Sequence, residues 1–128
     1  MAWEGLNRRK FPRANYPCLI KIVRGGEVKE SILTHTENIS IGGAAVIVKK
    51  TMELFAVVHV EIDLMDSAEL IACQSRVVWV VRRKAIEEHK PSFYDIGLEF
   101  VDIKDEQRER VSRTVEYLVH TGREAKYR

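Results

Sequence analysis

The chain has 128 residues, of which 45% are hydrophobic and 31% charged, and its formal net charge is +2. This length and composition predict one folded domain with its own core and exclude an intrinsically disordered chain. No apolar run approaches the roughly 20 residues of a membrane-spanning helix, and the first six residues lack the apolar stretch of a signal peptide, so we expect a cytoplasmic protein.

The positive charge is concentrated at the N-terminal end of the chain. Residues 1–24 carry a formal net charge of +5, whereas the remaining residues carry −3. A basic segment on a mildly acidic body indicates an anionic partner for that segment. Residues 1–15 also show neither helical nor strand periodicity, and Pro12 and Pro17 disfavour a helix around them. We therefore predict a flexible basic arm over residues 1–15.

Six segments after the arm have the alternation and turn signals of short β-strands. Their predicted bounds are 18–23, 28–37, 44–48, 57–64, 70–81 and 93–100. The alternation is clearest in 57–64, where four apolar residues alternate with three polar ones. In 70–81 the same rule predicts that Trp79 shares the face of Val77 and Val81, in the core or at its rim.

The periodicity changes from strand-like to helical after residue 100. Asp105 suits the N-cap of a helix, and Gly122 is placed to end it. The apolar residues between them fall on one helical face. They are Val111, Val115, Leu118 and Val119.

These elements predict an all-β fold with a terminal helix. Six short strands favour a small antiparallel β-barrel, whose closure leaves no exposed strand edge. We expect the helix to cover one end of the barrel. The predicted barrel domain with its helix covers residues 16–122, and a basic tail follows over 123–128.

The sequence shows no pattern typical of a metal site or an active site. Cys18 and Cys73 are too few and too far apart for a zinc site or a disulfide framework, and we expect buried, reduced thiols. The four histidines lie on separate predicted elements. No nucleophile, base and orienting group are expected to converge, so we predict neither an enzyme nor a bound metal or cofactor.

Residues 38–43, Asn-Ile-Ser-Ile-Gly-Gly, form the first candidate binding motif, at a predicted corner between two strands. Asn38 and Ser40 can each donate and accept hydrogen bonds, whereas the two isoleucines should point the opposite way, into a core. The two glycines allow a positive φ or a close approach to another molecule. Taken alone, the segment also fits an ordinary turn, because Asn and Gly are common in turns.

The second candidate motif is Arg-x-x-x-Arg, formed by Arg9 and Arg13 within the arm. Arginine side chains suit phosphate oxygens and the O6/N7 edge of guanine, and their planes stack on bases. The two arginines could close over a ligand from one side while residues 38–43 hold the other. Taken alone, the arm could also be a solvated run of charge.

The two motifs, in this order and separated by a strand hairpin, resemble those of the PilZ domain, the bacterial receptor module for cyclic di-GMP. Residues 77–79 and 97–100 are also similar to later strands of that family. The resemblance covers residues 8–100 and the terminal helix. It implies a six-stranded barrel of the split-barrel type, whose outer surface and N-terminal arm bind the dinucleotide.

The resemblance also assigns roles to the motif residues. Arg9 and Arg13 would bind guanine and phosphate groups. Asn38 and Ser40 would hydrogen-bond a guanine edge, and Gly43 would keep the turn open.

Two further residues are implicated by the resemblance. Arg8 matches a position that often contacts the ligand or affects how many ligand copies bind. Trp79 lies where some family members have a group that packs near the ligand.

The function that the resemblance implies is a non-catalytic receptor in which cyclic di-GMP orders the arm and so signals to a partner protein. The alternative is a PilZ-like interaction adaptor that does not respond to nucleotide. A cationic arm on a small barrel also suits single-stranded nucleic acid, but the strands lack a row of exposed aromatic residues. We therefore expect neither nucleic acid nor membrane as a partner, while ligand stoichiometry and a dimeric state stay open.

Overall fold

The structure, a computed structural model, describes residues 17–66, 68–83 and 92–120. The predicted arm over 1–15, the predicted tail over 123–128 and Gly122 lie outside the described residues, so those predictions stay predictions. Among the described residues, no helix is long and apolar enough to cross a membrane.

Six strands and one helix follow one another in the described residues. They are β1 (Leu19–Arg24), β2 (Glu30–Ser40), β3 (Gly43–Val48), β4 (Val57–Asp63), β5 (Ile71–Arg83), β6 (Phe93–Phe100) and α1 (Asp105–His120). The strands form a closed barrel in the order β1-β2-β3-β6-β5-β4, and all neighbouring pairs are antiparallel. The predicted fold class is confirmed, with small shifts at some strand ends.

Strand alternation fills the barrel interior with apolar side chains. On β4, Val58, Val60 and Ile62 are buried, whereas the residues between them face outward, as predicted. The free thiols of Cys18 and Cys73 are buried in the same core, as expected. Burial raises the pKa of the Cys18 thiol to about 11, which keeps it protonated and unreactive at neutral pH.

The helix α1 packs the predicted apolar face on the barrel core, next to β2. Val111, Val115 and Leu118 are buried members of the core cluster. On the outside, Arg110 donates two hydrogen bonds of 2.9 and 3.1 Å to the Asp66 carboxylate in the turn after β4. The helix is therefore fixed to the barrel both by burial and by a paired charge.

The N-cap of α1 lies one residue before the predicted position. The Arg108 N–H donates to the Lys104 carbonyl at 2.8 Å, which makes Lys104 the N-cap. The Gln107 side-chain oxygen accepts a hydrogen bond from the Lys104 N–H at 3.2 Å, which is one half of a capping box. Asp105 and Glu106 instead lie in the first turn, where negative charge favours the helix dipole.

Two β-bulges interrupt the strand pairing. The pairing of β2 with β3 shifts between Thr36 and Asn38, and the pairing of β5 with β6 shifts between Val77 and Trp79. Each bulge adds one unpaired residue to its strand, and the side chains beyond it change face relative to strict alternation. The two bulges flank the β3–β6 pair on its two sides.

The bulge on β5 makes the predicted orientation of Trp79 wrong. Val77 is fully buried, and Val80, three residues later, again packs against the core. Trp79 and Val81 therefore face outward and do not share the face of Val77. Alternation could not reveal this bulge, because all five residues from 77 to 81 are apolar.

Candidate functional site

The polar residues of the first motif lie on a strand rather than in a corner. Asn38 and Ser40 are the last outward residues of β2, because Ile39 between them is fully buried. The turn to β3 contains only Ile41 and Gly42. The predicted corner is thus shorter than expected, and strand pairing fixes the direction of the two polar side chains.

Strand register places the motif residues in two parallel rows across β2, β3, β6 and β5. The first row consists of Ser40, Gly43, Glu99 and Arg76. The second row consists of Asn38, Ala45, Gly97 and Trp79. Since neighbouring strands lie about 4.8 Å apart, each row spans roughly 14 Å. We call these two rows the outer site surface.

The middle of the outer site surface is flat because its residues are small. A Cβ at Gly43 would overlap the backbone carbonyl oxygen of Leu98, so β3 approaches β6 more closely than a larger residue would allow. A Cβ at Gly97 would overlap ring atoms of Trp79, which shows that the indole lies over this glycine. Gly43 and Ala45 thus form a floor between the polar groups on β2 and the indole of Trp79, which itself covers Gly97.

Gly43 contributes a close approach between strands rather than an unusual backbone angle. Among the described glycines, a positive φ occurs at Gly25, in the loop between β1 and β2. The requirement for glycine at position 43 therefore comes from the barrel itself.

The Ser40 hydroxyl has a structural role in the turn. Its Oγ accepts a hydrogen bond from the Gly42 N–H at 3.2 Å, as serine commonly does two residues before a turn N–H. This bond uses one acceptor position of the oxygen and leaves the hydroxyl proton to be donated. Ser40 can therefore stabilise the turn and still donate a hydrogen bond on the outer face.

The chain enters the barrel beside the polar end of the outer site surface. The Cys18 N–H donates to Thr36 Oγ1 at 3.0 Å, and the Thr36 N–H donates to the Cys18 carbonyl at 2.9 Å. Thr36 lies two positions before Asn38 on β2. The segment that precedes β1 is therefore attached next to the motif residues of β2.

The predicted site residues fall into two groups. Those that the structure brings to one surface are Asn38, Ser40, Gly43 and Trp79. Those that lie outside the described residues are Arg8, Arg9 and Arg13.

Sequence reasoning did not identify four members of the outer site surface. These are Ala45, Arg76, Gly97 and Glu99. The signal that could have found Ala45 and Gly97 is their small size at outward positions of their strands. Arg76 and Glu99 gave no such signal, because a charged residue at an outward position is ordinary.

The chemical groups of the surface suit an organic anion better than a metal ion. They are an amide, a hydroxyl, an indole, a carboxylate and a guanidinium. In the described part of the chain, no group of three or more His, Cys, Asp and Glu side chains is placed to hold a metal ion.

The fold and this surface together define a small β-barrel binding domain. The sequence model of the PilZ domain family matches residues 7–117, a range that includes both motifs, all six strands and most of α1. The chain therefore belongs to the PilZ domain family. A comparison with curated protein sequences gives no match.

Solved structures with the same fold share little sequence with this chain. The Bacillus subtilis inhibitor of motility MotI/DgrA has a TM-score of 0.67 at 19% identity, over 89% of this chain and 50% of that one. The PilZ domain of Escherichia coli YcgR with c-di-GMP has a TM-score of 0.67 at 13% identity, over 91% of this chain and 95% of that one. Borreliella burgdorferi PlzA in complex with c-di-GMP has a TM-score of 0.61 at 11% identity, over 94% of this chain and 56% of that one.

These likenesses establish the fold. The chain spans about half the length of MotI/DgrA and nearly all of the separate PilZ domain of YcgR.

Proposed function

We propose that the protein is a receptor that binds cyclic di-GMP and catalyses no reaction of its own. The observation that carries the proposal is the outer site surface, with Asn38 and Ser40 at one end, a flat floor in the middle and Trp79 at the other end. Membership of the PilZ family supports it, and so do the structures of YcgR and PlzA solved with c-di-GMP.

The surface provides groups that match a guanine base. The Asn38 amide both donates and accepts, and the Ser40 hydroxyl donates, so the two can bind the polar edge of a purine. The small floor residues leave room for the planar ring to lie against the sheet. The outward indole of Trp79 offers a stacking face, and stacking of a base on an aromatic ring contributes about 1–3 kcal/mol.

The arm can bring its arginines to this surface. Arg13 and Arg9 precede Pro17 by four and eight residues. At about 3.3–3.6 Å per residue, they can lie up to roughly 14 and 28 Å from Pro17. Since each row spans roughly 14 Å from the end at which the arm begins, the guanidinium groups of both arginines can reach a ligand anywhere on it.

Ligand binding then produces a signal by ordering the arm. Without ligand, the arginines of the arm repel one another, and two ligand phosphates remove that repulsion. Fixing the backbone costs about 1–2 kcal/mol per residue, so only a few residues around Arg9 and Arg13 become ordered. The ordered arm and the adjacent barrel face form a surface that a partner protein can distinguish from the free state.

Calorimetric titration with cyclic di-GMP tests the proposal and reports the stoichiometry. We expect the wild-type protein to bind, and Arg9→Ala and Arg13→Ala each to weaken binding about 10-fold to 150-fold, because each removes charge-assisted hydrogen bonds of about 1.5–3 kcal/mol. Arg113→Ala is the matched control, since Arg113 is an exposed arginine on α1 that forms an ion pair with Glu109 four residues earlier. It should bind as the wild type does.

Two results would contradict the proposal in different ways. No binding by the wild-type protein would favour the alternative, an adaptor that does not respond to nucleotide. Wild-type affinity in both arm variants would leave a receptor but refute the assignment of the arm. Amide hydrogen exchange adds the test of mechanism: protection over residues 8–15 should appear only with ligand.

A further inference from the structure

The outer site surface contains a cation of its own, Arg76, that neither sequence motif includes. Arg76 pairs with Glu99 across β5 and β6, and Glu99 pairs with Gly43 across β6 and β3. Its Cα therefore lies in the same row as Ser40, at the end opposite to the one where the arm begins. Arg76 therefore places a positive charge on the barrel at one end of the row, and the arginines of the arm can approach from the other end.

The ion pair that holds Arg76 is a loose one. Arg76 Nη1 lies 3.6 Å from Glu99 Oε1, and the two side chains are 43% and 55% exposed. The other arginine–carboxylate pairs within the described residues join atoms 2.8–3.3 Å apart. A single, long and exposed ion pair contributes little free energy. An incoming anion can therefore replace Glu99 at small cost.

We infer that Arg76 binds an anionic group of the ligand, a phosphate, and exchanges its contact with Glu99 for that group. The inference rests on the proposed function and deepens it. A dinucleotide with two phosphates on this surface meets the arm arginines from the β2 side and Arg76 from the β5 side. The planar guanidinium can donate two parallel hydrogen bonds to phosphate oxygens, which Glu99 at 3.6 Å does not receive.

Glu99 has a definite part in this exchange. Its carboxylate keeps the Arg76 side chain on the surface when no ligand is bound, and it competes with the ligand for the guanidinium. Removing the competing charge while keeping the shape, by Glu99→Gln, should therefore tighten binding rather than weaken it.

The matched variants are Arg76→Gln and Arg83→Gln, both on β5 and both losing an ion pair to an acidic residue of β6. Titration with cyclic di-GMP should show about 10-fold weaker binding for Arg76→Gln and wild-type binding for Arg83→Gln. The affinity of Arg76→Gln should also depend less on ionic strength, since one charge contact is gone. Thermal unfolding of each variant checks the fold, and Arg76→Lys, which keeps the charge but not the planar group, should bind with intermediate affinity.

A double-mutant cycle with Glu99→Gln tests the exchange itself. Glu99→Gln alone should tighten binding about 2-fold to 5-fold, because a surface ion pair of at most about 1 kcal/mol no longer competes. If Glu99 competes for Arg76, this gain is smaller when Arg76 is glutamine. A gain that is equal or larger in the Arg76→Gln background would mean that Glu99 simply repels the ligand, and it would overturn the exchange.

The outcomes for the inference and for the proposed function are distinct. Equal binding by the wild type, Arg76→Gln and Arg83→Gln would refute the role of Arg76 and leave the receptor intact. No binding by the wild type would refute the receptor, and the role of Arg76 with it.

Discussion

The outer surface of the barrel has two halves that differ in the size of their side chains and in the regularity of their strand pairing. In the half formed by β1 and β4, the pairings run without a register shift, and outward positions hold long polar residues such as Lys21, His59 and Glu61. In the half formed by β3 and β6, outward positions include Gly43 and Gly97, and a bulge lies on each side. Regular pairing thus accompanies the β1–β4 half, which long side chains cover (the covered half). Bulges flank the β3–β6 half, whose outward residues are small (the cleared half).

The difference separates what the fold needs from what the surface adds. A closed barrel can be built by alternation alone, as the β1–β4 half shows. The outer site surface has small residues in its middle and an indole and two polar groups at its ends. This arrangement departs from strict strand alternation, and β-bulges allow the departure locally without opening the barrel. Bulges commonly occur next to functional sites for the same reason.

The largest expected effect comes from enlarging a small outward residue within the β3–β6 half and comparing it with one that adjoins the β1–β4 half. Gly43→Val should lower the free energy of unfolding by about 1–3 kcal/mol, because its Cβ would collide with the Leu98 backbone rather than with a side chain that can move. Ala72→Val, at an exposed position of β5 that pairs with Glu61 of β4, should change it by less than about 0.5 kcal/mol. Urea denaturation measures both.

Equal small losses in the two variants would show that the close approach of β3 and β6 can relax. The cleared half would then be no more constrained than the covered half.

How far the sequence could predict each half follows from the same difference. On β4, alternation of apolar and polar residues correctly identified Val58, Val60 and Ile62 as core, since one local rule determines all three. On β5, residues 77–81 are apolar throughout, so nothing local marks the bulge that turns Trp79 outward.

The candidate site shows the same limit. Asn38 and Ser40 could be predicted to face outward, because flanking isoleucines indicate the inward face. That Arg76 and Gly97 lie in their rows depends on how β6 pairs with both β3 and β5, and the β3–β6 pairing joins residues more than 45 apart in sequence. Register between distant strands is set by the packing of the whole barrel, which a local pattern does not contain.

An intermediate effect is expected at the two buried hydroxyls that lie close to the bulges. Thr36 Oγ1 accepts a hydrogen bond from the Cys18 N–H, whereas Ser75 Oγ is a buried oxygen with no hydrogen-bond partner among the described residues. The neighbouring Cys73 thiol is too weak a partner to satisfy it. Thr36→Val should therefore destabilise the protein by about 1–2 kcal/mol, whereas Ser75→Ala should be neutral or slightly stabilising.

Denaturation of the two variants side by side checks this pair. A loss of more than about 1 kcal/mol on Ser75→Ala would mean that the hydroxyl does have a bonded partner in solution. A neutral Thr36→Val would mean that the Cys18 N–H finds another acceptor and that the chain entry beside β2 is not fixed by this bond.

The smallest expected effect contrasts the tight ion pair that holds the helix with the loose one of the outer site surface. Hydrogen bonds from Arg110 hold the pKa of the Asp66 carboxyl below its usual range. A carboxyl whose pKa is lower in the folded than in the unfolded protein adds stability above the unfolded pKa, and that stability is lost as the pH falls through the folded value. Because the unfolded pKa of Asp is about 3.9, the contribution should be complete at pH 7 and disappear only in stronger acid.

We expect Asp66→Asn to cost up to about 1 kcal/mol at pH 7 and nothing near pH 2, whereas Glu99→Gln should leave stability unchanged at both. Urea denaturation at the two pH values measures the four differences, and a loss for Asp66→Asn that persists in acid would show that the residue supports the turn through its shape and not through the charge of Arg110.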